Sequence, residues 1–175
     1  AMIPTGFCDS EWKKTMLDDD RVDKRCYNFG VVMYANAAID WRISVSKGVA
    51  LSAPEAELYA LTRMAQQMSG VKRILEDIGV DVTTLLPFPV YSDSKGAIAQ
   101  GNNPVSNSSM THLDNKVFYC RQQKNKGQVS YTWIARRFNP ADIGTHVMSD
   151  HLGFERFVAF LRNSGVVRYT RSSST

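Results

Sequence analysis

No stretch of the 175-residue chain approaches the roughly 18 apolar residues of a membrane span, and no signal peptide opens it. The chain therefore reads as intracellular, in cytoplasm or nucleus, with no membrane partner. Cysteine is scarce. Cys8, Cys26 and Cys120 cannot form a closed disulfide set, and no pair has zinc-finger spacing. They read as buried thiols of a reducing compartment. A strong excess of one charge is also missing, with 21 Lys+Arg against 17 Asp+Glu and a pI near 9.0. Such a balance permits a polyanionic partner without requiring one. There are no internal repeats and no linker that would split the chain. Residues 1–168 are expected to form one domain, and the Ser-rich residues 169–175 a flexible tail. What remains, 43% hydrophobic and 22% charged, is the composition of a globular chain with a core.

The apolar periodicity predicts a strand ending near Trp12, then an exposed, charged loop over residues 13–25. Residues 27–34 form a strong strand with Phe29, Val31 and Met33 on one face and Gly30, Val32 and Tyr34 on the other. Both faces suit cover, so the strand is expected to be central. After a turn at residues 35–37, Ile39, Trp41, Ile43 and Val45 alternate with Asp40, Arg42, Ser44 and Ser46, the pattern of a half-buried antiparallel partner. Ser52 followed by Glu55 makes a capping box, with Pro54 tolerated in the first turn. Leu61, Met64, Ala65, Met68, Val71, Leu75 and Ile78 then recur at helical spacing up to Gly79. A strand over residues 87–91 runs into a helix from about Asp93 to Gln100. An Asn/Ser/Pro-rich loop follows, then a helix capped by Ser109 or Thr111 that carries Leu113, Val117 and Cys120. A strand on Val129, Tyr131 and Trp133 reaches Ala135. A helix starts at residues 139–142, and Phe154, Phe157, Val158 and Leu161 mark the last. The order implies an α/β fold: a five-stranded mixed sheet, made of a three-stranded antiparallel meander plus two parallel strands, with helices on both faces.

Four acids fall where acids cost energy. Asp9 lies inside the first strand, Glu57 on the core stripe of the long helix, Asp93 at a strand-to-helix switch and Asp142 at a late helix start. An unpaired buried carboxylate is expensive, and four that converged would repel unless cations sat among them. Hard oxygen ligands suit Mg²⁺ or Mn²⁺. Each acid also has an ordinary reading: Asp142 as a helix-start acid, Asp93 as a cap, Glu57 as half exposed at its helix N-terminus. Asp18-Asp19-Asp20-Arg21 reads as a solvated acidic loop.

The order of blocks resembles the ribonuclease H domain of copia-type LTR retrotransposon Pol polyproteins. It runs Gly6-Phe7-Cys8-Asp9-Ser10-Glu11-Trp12, then Asp19-Asp20-Arg21, then Ala38-Ile39-Asp40-Trp41-Arg42-Ile43-Ser44. The stretch nearest to the family pattern is Val49-Ala50-Leu51-Ser52-Ala53-Pro54-Glu55-Ala56-Glu57-Leu58-Tyr59-Ala60-Leu61. Tyr91-Ser92-Asp93-Ser94-Lys95-Gly96-Ala97-Ile98, Thr111-His112-Leu113-Asp114 and Pro140-Ala141-Asp142-Ile143 complete it. The last of these falls in the family's LADIxTK block.

The resemblance implies a ribonuclease H-like fold and a metal-dependent endonuclease that hydrolyses the RNA strand of RNA/DNA hybrids. Asp9, Glu57, Asp93 and Asp142 would be catalytic and would hold two Mg²⁺ or Mn²⁺ ions about 4 Å apart. Glu57 is preferred to Glu55 because it matches the second acid of the family's EAE and because Glu55 serves the cap. The products would carry 5′-phosphate and 3′-hydroxyl ends. Ser10, Ser52, Ser94 and Asn103 are candidates for reading 2′-hydroxyls; Lys47, Lys95, Arg136 and Arg137 are candidates for phosphates. His112 and His146 are possible auxiliary groups, although the family has a lysine at the position of His146. No histidine lies in the loop at residues 136–141, where many cellular ribonucleases H carry one. A reverse transcriptase domain of the same polyprotein is an expected partner, and the isolated domain is expected to be a monomer. The alternative is a retroelement-derived module that only binds; loss of an acid would mark it, and none is lost.

Overall fold

A computed structural model describes residues 2–12, 15–16, 22–23, 25–103 and 114–145, with the backbone alone at 15, 16, 22, 23, 47, 48 and 114. The acidic run at 18–21, the cap at Ser109 or Thr111, His112, His146, the final helix and the tail lie outside the described residues. Strands β1 (Thr5–Glu11), β4 (Arg25–Tyr34), β5 (Ala37–Val49), β6 (Phe88–Ser92) and β7 (Val129–Trp133) form one sheet in the order β5-β4-β1-β6-β7. β1 pairs antiparallel with β4, and β4 with β5; β6 runs parallel to both β1 and β7. This is the mixed sheet that the sequence order implies. Where an exposed loop is expected at 13–25, two short strands, β2 (Thr15–Met16) and β3 (Val22–Asp23), pair as a separate ribbon. Two residues per strand are too few to leave a periodic signal.

Helices α1 (Ala53–Asp77), α2 (Lys95–Asn102) and α3 (Asp114–Asn125) share one face of the sheet and one core. Leu58, Leu61, Met64, Ala65 and Met68 of α1 are fully buried against Cys8, Val32, Phe88 and Val90. Each such side chain contributes on the order of 1.5–3 kcal/mol by leaving water. Two glycines leave room for Met64: a Cβ on Gly6 would lie 2.5 Å from Met64 Sδ, and one on Gly30 2.8 Å from Met64 Cε, so the methionine would have to move. Ser52 caps α1 as expected, its hydroxyl accepting the Glu55 N–H at 3.3 Å. Ile78, expected on the buried stripe, is exposed because α1 ends at Asp77 and Ile78 is its C-cap.

The opposite face carries a smaller cluster of Phe29, Val31 and Ala38, closed by Ala141 of the 3-10 turn Pro140–Gly144. Here one expectation needs correction. Ile39, Trp41, Ile43 and Val45 are 48%, 52%, 65% and 38% exposed, not half-buried. β5 is the edge strand, and among the described residues the turn that covers this face packs on β4 and β1. The β4–β5 hairpin closes through Ala35 and Asn36, both with positive φ (52° and 62°), the two-residue geometry that matches strand twist. Among the described residues no helix is long and apolar enough to cross a membrane.

Candidate active site

β1 and β6 pair only at Gly6–Val90 and Phe7–Tyr91 and are free of one another beyond. On one side the sheet continues antiparallel through β4, and on the other parallel through β7. A crevice at the carboxyl ends of parallel strands, where connections turn opposite ways, is the usual place for a site in such sheets. Asp9 lies toward the carboxyl end of β1 and Asp93 one residue past β6. Glu57 comes from the second turn of α1. Ligand oxygens of these three acids all lie within 4.8 Å of one another. The sequence separations of 48 and 36 residues between them are closed by the sheet and by the packing of α1 on β1.

The cluster is electrostatically costly. Burial, above all, pushes the Glu57 carboxyl up to about 9, and the charges of Asp9 and Asp93 push the same way. Asp9, 3% exposed, is raised to about 6, again chiefly by burial. The Thr145 hydroxyl, which donates to Asp9 Oδ2, opposes that rise. Ser10 offers its backbone N–H to both carboxylates. Glu57 Oε2 and Asp93 Oδ1 are buried without a hydrogen-bond partner. Orphaned buried oxygens in a knot of like charges are what a cation would satisfy, and an all-oxygen set suits a hard divalent ion. The residues therefore fit a hard divalent cation.

Asp142 stands in the 3-10 turn Pro140–Gly144, where a helix start is expected. It is 3% exposed, and its charge reaches Asp9, but it lies outside the three-acid cluster. Its Oδ1 accepts from Arg136 Nε at 2.6 Å. Asn139 fixes the turn: its side chain accepts the Ala141 N–H and donates to the Cys8 carbonyl at 3.0 Å, tying the turn to β1 next to Asp9.

The remaining predicted residues are placed as follows. Asp93 does not cap α2; Ser94 does, accepting the Ala97 N–H at 3.2 Å. Ser52 is the cap of α1, and the Ser10 hydroxyl donates to the Tyr27 carbonyl. Asn103 is the C-cap of α2, its N–H donating to the Ala99 carbonyl. Lys95 lies over the Trp133 ring at 5.0 Å, and Trp133 Nε1 donates to the Asp93 carbonyl. Arg136, a candidate for phosphate, pairs with Asp142. Three contributors were not foreseen: Thr145, Asn139 and Trp133. Thr145 had a signal, since it occupies the threonine of the LADIxTK block. Asn139 had a local signal as the cap ahead of Pro140, but its bond to the Cys8 carbonyl and that of Trp133 to the Asp93 carbonyl are long-range contacts that no local pattern encodes.

No protein-family model matches the chain. It is 30% identical over 128 residues to the retrovirus-related Pol polyprotein from transposon TNT 1-94 of Nicotiana tabacum, covering 73% of this chain and 9% of that polyprotein. It is 26% identical over 154 residues to the corresponding polyprotein from transposon RE1 of Arabidopsis thaliana, covering 88% and 10%. The chain thus spans about a tenth of the length of the curated relatives it matches. Among solved structures, the N-terminal RNase H domain of Rv2228c from Mycobacterium tuberculosis superposes with TM-score 0.53 at 13% identity, covering 94% of this chain and 99% of that one. LC11-RNase H1 in complex with an RNA/DNA hybrid gives 0.51 at 14%, covering 79% and 88%. The protease-reverse transcriptase of prototype foamy virus gives 0.52 at 14%, covering 95% of this chain and 21% of that one. The fold is that of the ribonuclease H-like proteins. The chain is a ribonuclease H-like domain of the kind carried in copia-type retrotransposon Pol polyproteins.

Proposed function

We propose that the chain is a metal-dependent endonuclease that hydrolyses the RNA strand of RNA/DNA hybrids, leaving 5′-phosphate and 3′-hydroxyl ends. The observation that carries this reading is the convergence of Asp9, Glu57 and Asp93 within 4.8 Å, with two of their oxygens unpartnered. Asp9, Glu57 and Asp93, joined by Asp142, would hold the divalent ions. When bound, such ions activate water and stabilise the leaving oxygen of a phosphodiester.

The chain's own groups have separable tasks. With burial raising its carboxyl to about 9, Glu57 would hold a proton at neutral pH without metal, and a bound cation would favour its ionised form. The Ser10 N–H orients the two carboxylates nearest to it, and Thr145 holds Asp9 in one rotamer. Arg137 and Phe138, stacked at 4.7 Å, and Lys95 with Trp133 at 5.0 Å, give the rim two cation–aromatic pairs. Cations suit phosphates, and exposed aromatic faces suit sugars and bases. The complex of LC11-RNase H1 with a hybrid supports the choice of substrate, and the foamy virus protein supports a reverse transcriptase partner in the same polyprotein.

The test is cleavage of an end-labelled RNA/DNA hybrid with Mg²⁺ or Mn²⁺, beside single-stranded RNA, duplex RNA and duplex DNA. The expected outcome is cleavage of RNA in the hybrid alone, abolished in Asp93→Asn. A folded protein that cleaves nothing with either metal would refute the reading.

A further inference from the structure

Among the described residues, Arg136 is the cation paired with an acid of this site. Its Nε donates to Asp142 Oδ1 at 2.6 Å. Its charge also acts on Asp9 and Asp93, and it is one of the influences that lower Glu57. One guanidinium is therefore felt by all four carboxylates. Its side chain is 57% exposed whereas that of Asp142 is 3% exposed. The arginine reaches in from solvent, opens the short 3-10 turn Arg136–Phe138, and can leave the acid without abandoning a buried pocket. Asp142, by contrast, is fixed: Asn139 accepts the Ala141 N–H and ties the turn to the Cys8 carbonyl of β1. A buried carboxylate that loses such a partner needs another cation.

We propose that Arg136 is a resident counter-cation that occupies Asp142 in the metal-free domain and must be displaced before Asp142 can take a divalent ion. It is a positioning residue that sets metal affinity at the Asp142 side of the site. The proposal rests on the reading of the four acids as metal ligands. Competition has two parts, direct occupation of Oδ1 and a positive charge that raises the local potential for any incoming cation. Arg136→Gln removes the charge and leaves at most a neutral amide on Oδ1, which a divalent ion displaces more easily. Arg137→Gln removes the same formal charge one residue away, where the guanidinium lies over Phe138.

The experiment is titration of the domain with Mg²⁺ and with Mn²⁺, followed by calorimetry and by amide shifts of Asp142 and Thr145, together with thermal unfolding without metal. In Arg136→Gln the ion that shifts those amides should bind about three- to tenfold more tightly, and the metal-free protein should melt at lower temperature. Arg137→Gln should leave metal affinity close to that of the parent. Unchanged or weaker binding in a folded Arg136→Gln overturns the proposal, as does an equal effect of Arg137→Gln. Failure of the underlying four-acid reading looks different: Asp93→Asn would then titrate like the parent, and neither ion would shift Asp142.

Discussion

Thr145 shows how one hydroxyl shapes the titration of the site. It donates to Asp9 Oδ2 and resists the rise that burial imposes on that carboxyl. Thr145→Val keeps the shape and removes the donor. Ionised Asp9 then loses a charge-assisted partner, worth about 1–3 kcal/mol in a buried setting. Asp9 titrates near 6, so the hydroxyl matters most above that pH. Urea unfolding of the metal-free protein should show a larger loss for Thr145→Val at pH 8 than at pH 5. Equal losses would mean that the threonine acts only through packing. Residue identity alone made the four acids legible as anomalies, because acids on a strand and on a core stripe demand an explanation. Nothing local showed that Arg136 pairs with Asp142 or that Thr145 reaches an acid 136 residues away. Those are tertiary facts, and the spacing of six between Arg136 and Asp142 belongs to no regular period.

At the level of elements, the turn Pro140–Gly144 carries more than its length suggests. It brings Asp142 to the site and lays Ala141 and Gly144 on β4. A Cβ on Gly144 would fall inside the Phe29 ring, and a buried ring cannot swing aside as a methionine tip can. Gly144→Ala should therefore cost about 1–3 kcal/mol by overpacking and lift Asp142 and Thr145 from Asp9. Chemical denaturation measures the first effect, and loss of the Thr145–Asp9 coupling in an Asp9 titration the second. A Gly144→Ala protein as stable as its parent would show that the turn yields without strain. Elements with dense patterning were readable in the sequence. α1 declared itself by its capping box and stripe, and β4 by two apolar faces. The apolar alternation of β5 was equally clear, yet Trp41 and Ile43 lie in the open. Alternation reports which side chains share a face; whether that face is covered depends on residues far away in sequence.

For the whole molecule the balance of protons and metal dominates. Glu57 and Asp9 have folded-state values near 9 and 6, both raised above ordinary carboxylates. The folded state thus holds protons that the unfolded chain has released, and stability must fall as pH rises through that window. Between pH 5 and pH 9 the metal-free domain should lose on the order of 5 °C or more in Tm. Saturating Mg²⁺ favours the ionised acids and should flatten or reverse the slope. Glu57→Gln should flatten it without metal. A metal-free melting temperature that rises over this range would contradict the electrostatics described above.

The bonds from Asn139 to the Cys8 carbonyl and from Thr145 to Asp9 bind the last described segment to the first strand. During synthesis the amino-terminal acids emerge early and wait. Thr145, which braces Asp9, does not exist until well over a hundred further residues have left the ribosome. The site is thus a closure that depends on a slow, long-range contact. A nascent or truncated chain can hold three acids and still lack the brace that gives them one geometry.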